Sequence, residues 1–217
     1  MQNAIPSMKW QEVELLLGEA FRLQGYIVTD SGLDMALWDI LGKSVNLPVY
    51  QLLGGKCRDK SRVFANVNGD TLEQRAESAL KSVEAGYTAL RTLPFLPDWE
   101  KRTPTGIISS AVEIVKAIRE AVGYEIDLGL ELHRNLAPDE AIVLANELLP
   151  YHILFYEDPL APESIEAMDY VARHIHLPIA TGERFYNIYQ FKDLIARGCA
   201  KLMGFDPLSI KFIKIAH

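Results

Sequence analysis

Residues 128–184 decide the fold. They contain LGLELH (128–133), LFYEDP (154–159) and PIATGER (178–184), separated by two amphipathic intervals. Each short apolar run leads into a carboxylate: Glu131, Glu157 and Glu183. Subtracting their numbers gives 26 residues for both gaps. A strand, a turn, a helix and a return loop fill about that length. Three acids therefore recur at the same point of three successive β-α units. On neighbouring parallel strands their carboxylates converge at one end of the sheet. Carboxylates held a few ångströms apart repel, and one takes up a proton unless a counter-charge is near. A divalent cation supplies that charge. All-oxygen ligation suits a hard ion, Mg²⁺ or Mn²⁺ rather than Zn²⁺. For a single strand-end Glu, helix capping or a salt bridge is the better reading; three in register favour the metal.

The same alternation extends both ways. Upstream, RVFANVN (62–68) and TALRTL (88–93) read as strands, and residues 71–85 and 106–122 as helices. A loop with Pro94, Pro97 and Pro104 is long enough to suggest a lid or a substrate contact as readily as an ordinary surface loop. Strands are also expected at Ile126–Leu132, Ile153–Glu157 and Pro178–Glu183. Downstream, Asn187–Arg197 reads as a helix and KLMGFD (201–206) as a sixth strand. Helices are expected from Pro138, and from Pro162 or Glu163. Repeated β-α alternation implies a parallel sheet. No GxGxxG or GxxxxGK[ST] follows a strand, which disfavours a nucleotide-binding doubly wound sheet. Chemistry at the C-terminal strand ends fits a (β/α) barrel, which needs about eight strands where this chain supplies about six.

The first sixty residues differ. Residues 8–24 have helical apolar spacing. A second helix is expected from a cap at Asp30 or Ser31, with Leu33, Ala36, Leu37, Ile40 and Leu41 as its apolar stripe. Pro48 opens a short turn that Gly54-Gly55 closes. The expected division is a helical segment at 1–60 and a partial barrel at 61–217.

The chain has 217 residues and a net charge of −7, with no basic run, so nucleic acid is not an expected partner. No stretch is apolar enough for a membrane span, and the N-terminus is not a secretory signal. Cys57 and Cys199 have no ligand-like spacing and read as reduced thiols of a cytoplasmic protein.

SGLDMALWDILGKSVNLPVYQLLGGKCRD (31–59) resembles a signature of the mandelate racemase and muconate lactonizing enzyme branch of the enolase superfamily. ELH, FYEDP, PIATGER and KLMGFDP resemble its third to sixth barrel strands. The resemblance implies an α/β fold, an incomplete TIM-like barrel after the helices of a partial N-terminal capping domain, truncated at both ends. It implies Mg²⁺ on Glu131, Glu157 and Glu183, with Glu131 standing where Asp is more usual. Asp158, next to Glu157, should face away on an alternating strand.

His133 lies two residues after Glu131, so alternation sends both to one side of an extended strand. ELHRNLAPDEA resembles the sugar-acid dehydratases, of galactonate and mannonate type, in which a His at this spacing does acid/base work. The racemases and epimerases usually carry Lys-x-Lys at the second strand; here Arg91 stands there, too basic for a base. It is expected to bind a substrate group or to make a salt bridge. Asp206 resembles the Asp of an Asp-His dyad whose His belongs to a seventh strand. The implied activity is a hydro-lyase reaction on a small sugar acid through an enediolate. A racemase or epimerase, or a non-catalytic metal-binding fragment, is the alternative, and a homo-oligomer is left open.

Overall fold

The computed structural model describes residues 27–162, 164–185 and 187–204. The helix expected at 8–24, Asp206 and the segment after it lie outside the described residues. The chain forms two compact units, of which Lys60–Gly182 with Phe191–Gly204 is the larger.

In the smaller unit, α1 spans Ile27–Ser44 and α2 Val49–Leu52. α1 begins before Asp30 and Ser31, so neither caps it, against expectation. Capping preference is a weak prior, and Ile27, Val28 and Thr29 cost a helix only tenths of a kcal/mol each, on the order of 0.5. Leu33 and Ile40 of the expected stripe are exposed. Pro48 precedes α2, and Gly54 and Gly55, both at positive φ, close it as the sequence suggests.

The larger unit is built on six strands: β1 (Ala65–Val67), β2 (Ala89–Thr92), β3 (Asp127–Glu131), β4 (Tyr156–Glu157), β5 (Ile179–Thr181) and β6 (Leu202–Met203). All neighbours pair in parallel, in the order β1-β2-β3-β4-β5-β6. A strictly sequential order is that of a singly wound barrel; a doubly wound sheet reverses direction midway. The architecture is thus α/β, with the partial TIM-like arrangement expected.

Between the strands run α3 (Leu72–Glu84), α4 (Pro104–Val122), α5 (Pro138–Glu147), α6 (Ile165–His174) and α7 (Ile188–Arg197). Their starts are chemically specified. The Thr71 hydroxyl accepts from the Gln74 N–H, that of Thr103 from the Gly106 N–H, and that of Ser164 from the Ala167 N–H. Ser164, rather than Pro162 or Glu163, therefore sets the start of α6. Pro104 and Pro138 stand at first helical positions, where a missing N–H costs nothing. The Pro-containing loop is anchored: Phe95 is buried, and Trp99, in a single 3₁₀ turn, stacks on it with centroids 4.8 Å apart.

Two buried arginines tie the layers together. Arg75 of α3 donates to Gly69 O, Thr92 Oγ1, Leu93 O and Phe95 O. Arg119 of α4 donates to Gly123 O, Ile126 O, Tyr151 O and His152 O. Carbonyls at loop corners thus satisfy two guanidinium groups, although burial pulls both pKa values down.

Alternation gives the sheet two faces. On one, Leu128, Leu130 and Tyr156 are buried, and the Tyr156 hydroxyl donates to Ala141 O of α5. Burial raises the Tyr156 pKa. The other face carries Gly129, Phe155, Glu131 and Glu157. The Phe155 ring covers Gly129 so closely that any Cβ there would overlap it. Gly129→Ala is therefore expected to destabilise the protein by about 1–3 kcal/mol in urea unfolding, and pairing it with Phe155→Leu to recover part of the loss. An unchanged midpoint in the single variant would show that the ring moves freely.

Candidate functional site

β3 and β4 bring two of the three expected acids together. Glu131 is the register partner of Glu157, at the last position of both strands. Partners on parallel strands project to the same side, so the carboxylates lie side by side on the face away from α5. Both are half-buried, with side-chain exposures of 13% and 21%.

Arg91 of β2 reaches the same point. Its Nη1 donates to Glu157 Oε2 at 2.8 Å and to Glu131 Oε2 at 3.3 Å. Its Nε donates to Asn66 Oδ1 at 3.1 Å, and its guanidinium sits 4.7 Å from the centroid of Phe64. Of the two expected roles, the salt bridge is the one observed. The other oxygen of Glu131, Oε1, accepts from the His133 backbone N–H at 2.7 Å.

One guanidinium faces two carboxylates, so the cluster is one positive charge short. Glu131 carries the deficit. Burial first, then the Glu157 charge, push its pKa from the ordinary 4.5 up to about 7, against the opposing pull of the His133 N–H and Arg91. A hard cation fits this donor set: two half-buried carboxylates, all oxygen, with one charge uncompensated.

The remaining expected residues stand as follows. Glu183 is exposed, in a turn two residues beyond β5, because Gly182 at φ +124 ends the extended run. Glu183 belongs to the smaller compact unit. Among the described residues no three His, Cys, Asp or Glu side chains are gathered closely enough to hold a metal ion. His133 is exposed and adopts φ +52, as Arg134 adopts φ +66. The extended strand assumed for His133 is thus a correction: β3 stops at Glu131 and the chain turns left-handed. The Glu131 carboxylate stabilises that turn by capturing the His133 N–H. Asp158 follows the end of β4 at φ +43, where strand alternation no longer applies, and its charge adds to the upward push on the Glu131 pKa. It is buried, pairs with Arg134 Nη1 at 2.7 Å and accepts from Thr181 Oγ1 at 2.7 Å.

Sequence reasoning missed Arg134, and Asn66 and Phe64 as supports of Arg91. Arg134 directly follows His133 in the ELHRN run, yet spacing alone says nothing about a turn that folds it onto the next strand. Cys57 and Cys199 are both free thiols.

Comparison with known proteins identifies the family. Residues 74–214 match the family described as enolase C-terminal domain-like, and residues 8–54 the mandelate racemase / muconate lactonizing enzyme N-terminal domain. The chain belongs to this branch of the enolase superfamily. It is 38% identical over 168 residues to a D-galactonate dehydratase of Pectobacterium atrosepticum, covering 77% of this chain and 44% of that protein. It is 36% identical over 176 residues to a D-galactonate dehydratase of Ralstonia pickettii, covering 81% and 46%. The chain thus spans less than half the length of these curated relatives. A crystal structure of an enolase superfamily member from Salmonella Typhimurium superposes with a TM-score of 0.83 at 29% identity, covering 95% of this chain and 61% of that one. A mandelate racemase/muconate lactonizing enzyme-like protein from Roseovarius sp. TM1035 gives 0.81 at 30% identity, covering 94% and 57%.

The raised Glu131 pKa has a defined effect on stability. In the folded protein this carboxyl holds its proton to about pH 7, while unfolded it releases it near 4.5. Its contribution is complete below the unfolded value and is lost as pH rises through the folded one. With chelator present, wild type should lose stability relative to Glu131→Gln between about pH 4.5 and 7. Urea unfolding across that range measures the difference; a constant gap would place the proton elsewhere.

Proposed function

We propose that the protein to which this chain corresponds is a Mg²⁺-dependent dehydratase of a small sugar acid, converting an aldonate to a 2-keto-3-deoxy acid. The observation that carries this is the register pair Glu131–Glu157, one positive charge short, in a chain with more than a third identity to two D-galactonate dehydratases. Glu131 and Glu157 would hold the ion. Glu183 is proposed as the third ligand from its place in the 26-residue repeat. Bound there, the ion would offset the negative charge that grows on the substrate's carboxylate oxygens as an enediolate forms.

The chain's own residues define the rest. Glu131 and Glu157 present oxygens toward one point. His133, at the left-handed turn beside Glu131, would give a proton to the departing 3-hydroxyl, so that water leaves. The α-proton goes to a base, and the resulting enol becomes the 2-keto acid by losing its O–H proton and gaining a proton at C3. Arg91, a guanidinium already paired with both acids, is given no base role. Asp206 is proposed to orient a partner side chain. Residues 1–60 are proposed as the capping segment and 61–217 as the barrel segment. Among the described residues no helix is long and apolar enough to cross a membrane. A cytoplasmic location is proposed from the two free thiols, Cys57 and Cys199.

The test is a screen of aldonic acids, galactonate and mannonate included, for 2-keto-3-deoxy acid. It uses this chain and a version extended to the length of its curated relatives, with Mg²⁺ and with chelator. Mg²⁺-dependent product that falls at least about a hundred-fold in His133→Asn is the expected result. Exchange of the α-proton without loss of water would favour a racemase or epimerase. Folded protein with neither reaction would contradict the proposal.

A further inference from the structure

We propose that Arg91 is a built-in counter-ion of the Glu131–Glu157 pair, which an entering divalent cation must displace. This rests on the metal reading given above. A single nitrogen, Nη1, touches Oε2 of both acids. It therefore occupies the point between them that an ion bridging the pair would take. The two positive groups compete for the same oxygens.

Three features suit Arg91 to yielding its place. Its contacts with the pair are unequal, 2.8 Å to Glu157 and 3.3 Å to Glu131, so the Glu131 side is loosely held. It has support elsewhere: Asn66 Oδ1 accepts from Nε, and the Phe64 ring lies beneath the guanidinium. Withdrawal toward β1 does not leave the group bare. Finally, a guanidinium cannot shed its charge, as a lysine can. The pair gains a second cation only if the arginine moves aside. Without metal, Arg91 keeps two half-buried carboxylates from forcing each other apart. With metal, it becomes a free cation at the strand ends, beside the ion.

Competition makes the affinity of the metal-free protein weaker than its carboxylates alone would allow, and removing the competitor reveals the difference. Mn²⁺ binding to the whole chain, followed by calorimetry and by electron paramagnetic resonance of free Mn²⁺, reads it. Arg91→Met is expected to bind Mn²⁺ about ten-fold more tightly than wild type, the scale of one charge-assisted hydrogen bond removed from competition. In chelator the same variant should melt below wild type, and saturating Mn²⁺ should close that gap. Arg91→Lys serves as a second variant should Arg91→Met fail to fold. It keeps the charge but loses the stacking and the Asn66 bond that aim the nitrogen, so tightening by about three-fold is expected. Equal or weaker affinity in the folded variants overturns the counter-ion role while leaving the metal site standing. No Mn²⁺ binding in wild type or variants overturns both.

Discussion

Two like charges held side by side are the constraint on which the site depends. Parallel pairing of β3 with β4 sets Glu131 opposite Glu157. No rotamer change removes both acids from the same face. The structure answers this with Arg91, with a backbone N–H from His133, and with a Glu131 carboxyl that holds its proton to about pH 7. Each is a partial remedy. The proposed divalent ion would be the complete one, and an oxygen-only donor set suits the hard ions.

The scaffold that enforces this arrangement is stiff. Phe155 lies against Gly129 on the same face as the acids, two positions before each of them along its strand. On the opposite face, Tyr156 anchors β4 to α5. Arg75 holds the corners that leave β1 and β2, and Arg119 those that enter β3 and β4, by taking up loop carbonyls. Asp158 joins Arg134 to Thr181, so the turn after β3, the end of β4 and β5 form one polar chain. The carboxylate pair is thus held from below by packing and from the side by hydrogen bonds.

Much of this was legible in the residues. Equal spacing of Glu131, Glu157 and Glu183 announced repeating β-α units, and the sequential parallel sheet follows from them. Alternation failed at His133, and does not reach Asp158, for a common reason: strands end where the chain turns. His133 sits at positive φ, and Gly182 bends the backbone before Glu183. Period-two reasoning holds only inside a strand, and catalytic loops begin where strands stop. From sequence Arg91 is equally a salt-bridge partner or a substrate ligand. Pattern cannot decide between them, because the choice depends on which oxygens lie within reach across two strands. The cap of α1 failed because a helix extends through any residues that tolerate it.

The most direct measurement is a crystal structure of the protein with Mn²⁺, read by anomalous diffraction. The expected result is a peak about 2.0–2.1 Å from oxygens of both Glu131 and Glu157, with the Arg91 guanidinium drawn back toward Asn66 and Phe64. A lattice saturated with Mn²⁺ that shows no peak there, with Arg91 still bridging the two acids, would contradict it.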